Sequence, residues 1–224
     1  MARISAIRWT FLILATAVAL VAGHAAMAVS NFGAGEGRLD FTVTRNGEPI
    51  GSQVYRIDRQ GRRITVDIRT NIDFRLLSLP IYRFRHESRE IWDGDRLVRL
   101  ISNTNDNGDP VVLDVRADGR VLRVGGDAVH LEVDGKAVPA SLWNPVVVQR
   151  ERLLDTVKGT VLTTKVEYLG EEALSVGERQ VQARKYRLSG DYSRDLWYDS
   201  RDGSLVRVLF KAPDGSQVEY VLKS

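Results

Sequence analysis

The 224-residue chain has no cysteine. That absence excludes a disulfide framework, a thiolate nucleophile, cysteine-ligated zinc, an iron–sulfur cluster and a lipid-modified N-terminal cysteine. Histidine is scarce too, with three in the whole sequence. No two histidines, and no His/Glu pair, sit at helical ligand spacing, so no metal site is expected. The sequence holds no Gly-x-Ser-x-Gly elbow, phosphate loop or dinucleotide fingerprint, and no cofactor is expected. It also lacks a run of five or more like charges and any repeat of fixed period, which removes the support for nucleic-acid or polybasic membrane binding and for a solenoid. What is present is an ordinary globular composition, 43% hydrophobic and 27% charged, in a chain long enough to bury a core without staples.

The one long apolar stretch, Trp9 to Ala22, follows Arg3 and Arg8 and precedes His24-Ala25-Ala26-Met27-Ala28. A basic start, an apolar middle and small residues at the positions a signal peptidase reads make residues 1–28 a signal peptide, with cleavage expected after Ala28. An uncleaved anchor is the alternative, but about 14 apolar residues give only about 21 Å of helix against about 30 Å of hydrocarbon. The expected address is periplasmic or secreted, with no stable transmembrane anchor. Residues 29–38 read as a flexible mature N-terminus and 39–224 as a single β domain. Without Arg3 and Arg8, 32 Lys+Arg less those two face 29 Asp+Glu, so the domain itself is nearly neutral.

From Leu39 onward the chain alternates strand and tight turn. Asn46-Gly47, Gln60-Gly61, Asp93-Gly94, Asn107-Gly108, Asp118-Gly119, Gly125-Gly126, Asp134-Gly135, Asp202-Gly203 and Asp214-Gly215 are each read as hairpin tips, because such pairs accept the positive φ values of two-residue turns. Between them apolar residues recur with period 2. Ile64, Val66, Ile68, Ile72 and Phe74 share one strand face and Arg63, Asp67, Arg69 and Asp73 the other; Val206, Val208 and Phe210 repeat the scheme, as do Val218, Tyr220 and Leu222. This predicts an all-β, mainly antiparallel fold of about ten strands: a strongly curved meander sheet forming a half-barrel or barrel. One stretch departs from the rhythm. Asn144-Pro145 suits a cap and first helical position, and Val146, Val147, Arg150, Leu153, Leu154 and Val157 follow at helical spacing, predicting one amphipathic helix over about 145–157 packed across the sheet. It would either plug the barrel or serve as a lid over a cavity.

The candidate functional face runs from Tyr82 to Trp92. Strand alternation places Tyr82, Phe84, His86, Ser88, Glu90 and Trp92 together on the inner, aromatic side. Polar groups buried there need partners, water or a ligand, so they are read either as a satisfied network holding strands in register or as the polar floor of an apolar cavity. His86 with Glu90 invites a base and its orienting carboxylate. Four residues along one strand is about 13 Å, however, so the two should not touch. Trp143, just before the expected helix, is read as a ligand-stacking candidate or a hydrophobic staple. The loop from Asn103 to Gly108 echoes a calcium loop but begins with Asn, has Asp114 in place of a bidentate Glu and lacks flanking helices, so a polar hairpin tip is the better reading.

The succession Phe41-Thr-Val-Thr-Arg-Asn-Gly-Glu-Pro-Ile-Gly51, then Tyr82-x3-His86-x3-Glu90-x-Trp92, Ser141-Leu-Trp-Asn144 and Leu196-Trp-Tyr-Asp199 resembles an uncharacterised family of secreted bacterial proteins, a domain of unknown function. That family is distantly similar to lipoprotein-carrier (LolA/LolB-like) half-barrel periplasmic domains. The resemblance implies a curved sheet holding an acyl chain under a helical lid; it carries no catalytic residues with it. The expected function is thus a non-enzymatic domain that binds or carries a hydrophobic, lipid-like molecule between the inner face and the helix. The alternative is an envelope interaction or assembly protein acting through its outer sheet face or an edge strand. An enzyme using His86 would require a second acid or nucleophile beside it in an open cleft.

Overall fold

A computed structural model of the chain describes residues 37–126 and 130–223. The signal peptide, its cleavage site and most of the N-terminal segment expected to be flexible lie outside the described residues. Fifteen strands form one sheet. The first eight are β1 (Gly37–Arg45), β2 (Glu48–Gln60), β3 (Arg63–Leu76), β4 (Leu79–Asp93), β5 (Arg96–Asp106), β6 (Asp109–Asp118), β7 (Val121–Gly126) and β8 (His130–Asp134). The rest are β9 (Val138–Pro139), β10 (Arg152–Leu154), β11 (Val161–Val176), β12 (Arg179–Gly190), β13 (Arg194–Asp199), β14 (Leu205–Lys211) and β15 (Gln217–Leu222).

The chain lays these down as two meanders that grow from a common centre. The order across the sheet is β8-β7-β6-β5-β4-β3-β2-β1-β15-β14-β13-β12-β11-β10-β9, so β1 and β15 pair in the middle and β8 and β9 are the edges. Every pairing is antiparallel except β9 with β10. The two edges are joined by residues 135–137 alone, a link that spans at most about 14 Å. A flat sheet of fifteen strands would hold its edges about 67 Å apart. The sheet therefore curls until its edges approach, yet it is not hydrogen-bonded into a closed barrel. Asp134-Gly135, read as a hairpin tip, is this edge-to-edge crossing, with Gly135 N donating to Arg120 O.

Turn chemistry accounts for most hairpins. At Asn46-Gly47 and Asn107-Gly108 both central residues have positive φ, 49° and 87° in the first, 55° and 108° in the second, as type I′ turns require. The sheet's inner face carries the alternating apolar residues, and Ile64, Val66 and Ile68 are all buried. The outer face carries Arg–Asp pairs at facing register positions, such as Asp67 with Arg89 at 2.6 Å and Asp195 with Arg187 at 2.8 Å. Being at least partly open to water, each such pair adds little to stability, but it disfavours slipped registers.

The amphipathic helix over 145–157 does not form. Pro145–Gln149 makes a short 3₁₀ turn, capped by the Asn144 side chain accepting from Val146 N at 3.0 Å, and Arg152–Leu154 is strand β10. The cap and the Pro position follow the sequence signal. Propagation fails because the turn is the β-branched run Val146-Val147-Val148, unfavourable in a helix, while Leu153 and Leu154 find ladder partners in Val138–Pro139 and Val161–Leu162. The whole segment from Val138 to Thr160, strands β9 and β10 included, packs into the curled sheet as a plug, burying Val138, Leu142, Trp143, Val147, Leu153 and Leu154. Adjacent plug residues reach opposite walls. Leu142 O accepts from the Tyr198 hydroxyl on β13, and Trp143 Nε1 donates to Glu90 on β4. Those strands lie six positions apart in the sheet, about 29 Å if it were flat.

Candidate functional site

Antiparallel register turns the candidate strand into a set of rows running across the sheet. In one row Gln53, Thr70, His86 and Thr104 face one another in succession on β2, β3, β4 and β5. Gln53 Nε2 donates to Thr70 Oγ1 at 3.0 Å, and His86 Nδ1 lies 2.8 Å from Thr104 Oγ1. The Tyr55 hydroxyl sits 3.0 Å from Gln53 Oε1 and donates to the plug at Ser141 O, 2.7 Å away. Burial lowers the His86 pKa to about 4 against a weaker opposing pull from Asp155, so the ring is neutral at physiological pH. Its partner is the Thr104 hydroxyl, and among the described residues no carboxylate takes the orienting role a general base would need.

Two rows further along, Glu90 stands among Ile57, Val66, Leu100 and Val115. It is 0% exposed. Its Oε2 accepts from Trp92 Nε1 at 2.9 Å and from Trp143 Nε1 at 2.8 Å, and the two indoles meet edge to face at 5.7 Å. Burial pushes the Glu90 pKa up, while the contacts from Trp143, Ser141 and Trp92 favour its charged form. Oε1 has no well-formed hydrogen bond. This cluster is a fastener that ties the plug to β4. His86 and Glu90 take separate partners, as their spacing on one strand requires.

Between the polar row and the plug lies a cavity of about 310 Å³. Phe84 and His86 line it from β4, Tyr55 from β2, Arg194 from β13, Phe210 from β14 and Tyr220 from β15, with Asp155 to Lys158 of the plug along one side. From the cavity outward, His86 stacks on Phe84 and Phe84 on Tyr82, with centroids 6.2 and 6.5 Å apart, and the Tyr82 hydroxyl donates to Asp106 at 2.8 Å. Two larger depressions, about 550 and about 1030 Å³, lie among charged side chains on the sheet's outer face and at its seam.

The structure thus divides the row chosen from the sequence. Phe84 and His86 belong to the cavity, Tyr82 extends the ring stack outward, and Ser88 is buried with its hydroxyl unpartnered. Glu90, Trp92 and Trp143 form the fastener and do not line the cavity. Tyr55, Tyr192, Arg194, Phe210 and Tyr220 went unnamed as site residues, although Phe210 and Tyr220 already sat at inward positions of period-2 strands. What was missing was the strand order, because only the pairing of β15 with β1 brings Tyr220 round to Tyr55's side of the sheet.

A family profile described as a domain of unknown function, DUF6134, matches residues 41–223. The chain belongs to this family. The matched span starts inside β1 and ends just past β15, so the family's domain contains the full circuit from the central pair out to both edges and back, plug and cavity included. No curated protein matches the chain. Among the described residues no helix is long and apolar enough to cross a membrane, and no three His, Asp or Glu side chains converge as a metal site would need.

Proposed function

We propose that this domain is a non-catalytic binder of a small amphipathic molecule, working in the periplasm or outside the cell after removal of residues 1–28. The supporting observation is the cavity of about 310 Å³, walled by rings from strands far apart in sequence and floored by Gln53, Thr70 and His86 of the polar row. Its volume is at the small end of ligand sites, and its mixture of aromatic walls with a few fixed polar groups is typical of them. The plug occupies the rest of the interior, so the ligand is a single short chain or ring system in place of a whole diacyl lipid. Native mass spectrometry of the protein purified without detergent, followed by organic extraction, tests this. A stoichiometric small adduct supports the proposal; an apo mass that persists after incubation with envelope lipid extract and single-chain amphiphiles overturns it.

A second reading, an envelope interaction protein, draws on the β3–β4 hairpin tip. Leu76, Leu77, Leu79 and Ile81 are there 58%, 91%, 66% and 50% exposed, a cluster of apolar side chains that water-facing turns ordinarily avoid. Substituting all four with serine and comparing the sedimentation of the two proteins with purified envelope fractions separates this reading from the first. Unchanged sedimentation removes it.

A further inference from the structure

Arg194 is the arginine that lines the cavity. Several arginines of the outer face are matched with carboxylates, as Arg187 is with Asp195, Arg207 with Glu219 and Arg99 with Asp114. Arg194 lines the cavity, half-buried, and has no ion pair or hydrogen bond to any described residue. Its guanidinium carbon lies 3.2 Å from the Tyr192 ring centroid and 4.9 Å from that of Phe210. Its Nε is fully buried without an acceptor. The two rings flank the guanidinium but supply no acceptor for its N–H groups, and a buried donor left without an acceptor is unfavourable.

The other charged groups at the cavity do not supply that acceptor. Asp155 Oδ1 is occupied by the Val157 and Lys158 backbone N–H groups, at 2.8 and 3.0 Å, and Asp106 accepts from Tyr82. Neither carboxylate lies within ion-pair distance of Arg194. The Lys158 ammonium at the same wall adds a second cation, and the Tyr220 hydroxyl, also on the wall, makes no hydrogen bond to a described residue.

We propose that Arg194 is the head-group clamp of the cavity, and that the molecule it takes is a single-chain amphiphile ending in a carboxylate. This rests on the binding function proposed above and specifies its ligand. A planar guanidinium flanked by two rings at the cavity wall matches the two oxygens of a carboxylate with its fork of N–H donors. Tyr220 supplies a further donor, and the rings of Phe84, Tyr55 and Phe210 cover the chain. A monoanion fits better than a dianion such as a phosphate monoester, because Asp155 and Asp106 stand at the same cavity and repel excess negative charge.

Titration calorimetry with decanoate, decanol and decyltrimethylammonium, on wild-type protein and on Arg194→Gln, tests the assignment. Decanoate is expected to bind wild type at least tenfold more tightly than decanol, and the cation is expected not to bind. In Arg194→Gln the decanoate advantage should vanish while decanol affinity stays, which also reports that the variant is folded. Equal affinity for decanoate and decanol, or preference for the cation, overturns the clamp and leaves the binding function standing. Absence of binding by all three overturns both.

Discussion

His86 carries a pH signature that belongs to the residue alone. Its folded pKa of about 4 lies below the ordinary value of 6.5, so as pH falls the unfolded chain takes up the proton first. Stability that is complete above about pH 6.5 is lost on the way down to about pH 4, by up to about 3 kcal/mol. Denaturant melts of wild type and His86→Gln between pH 7 and pH 4 should differ by this amount, with the variant the less acid-sensitive; parallel curves would show that the ring is not desolvated. Glu90 has the opposite sign. Its raised pKa means that burial of the charge weighs on stability as pH rises above its ordinary 4.5. Glu90→Leu strands two indole N–H groups and should cost about 2–5 kcal/mol. Glu90→Gln keeps an acceptor for both and should cost far less, a difference that thermal denaturation of the two variants resolves. Equal losses would mean that shape, not the paired hydrogen bonds, fastens the plug. At this scale the sequence was informative. The inward phase of Tyr82 to Trp92 follows from alternation, and the separation of His86 from Glu90 follows from strand geometry.

Among the elements, the hairpin between β3 and β4 stands apart. The other tips among the described residues use Asn-Gly or a glycine, whereas here Leu77 and Ser78 occupy the left-handed region at φ 49° and 69°. A branched apolar residue in that conformation, exposed to water, is unfavourable both for its backbone and for its solvation. Leu77→Asn combined with Ser78→Gly should therefore stabilise the protein by about 1 kcal/mol, a rise of about 2–4 °C in Tm. A fall in Tm would show that the tip packs against something in the protein. The plug makes the complementary point. Its helical spacing is genuine at Asn144 and Pro145 and misleading beyond them, because periodicity cannot register that Leu153 and Leu154 have strand partners available. Gly159, at φ 72°, closes its far end where a Cβ would come within 2.9 Å of Val124 and 3.0 Å of Leu113, a constraint set by β6 and β7 and not by local turn chemistry.

For the whole molecule, the decisive contact is between chain ends. Phe41 faces Leu222 and Val43 faces Tyr220 in the central pair of the sheet, a pairing of the largest possible sequence separation and thus one that is slow to form. Truncation after Lys211 removes β15, leaves two meanders with no shared strand and exposes a new edge on each. We expect that fragment to be unfolded or aggregated by circular dichroism and gel filtration. Two independently folded halves would contradict the single-circuit description.

The sequence by itself determined the elements whose cause is local. Alternation marked the strands and their inner faces, Asn-Gly, Asp-Gly and other glycine turns marked most of the hairpins, and the Asn144-Pro145 cap marked where the plug turns. Tertiary structure decided what depends on partners distant along the chain. Which strands are edges, that residues 135–137 bridge them, that a would-be helix becomes a strand, and that Arg194 meets His86 and Tyr220 across one cavity all follow from strand order. Strand order is set by the burial of the whole inner face around the plug, a global sum to which no short segment holds the key.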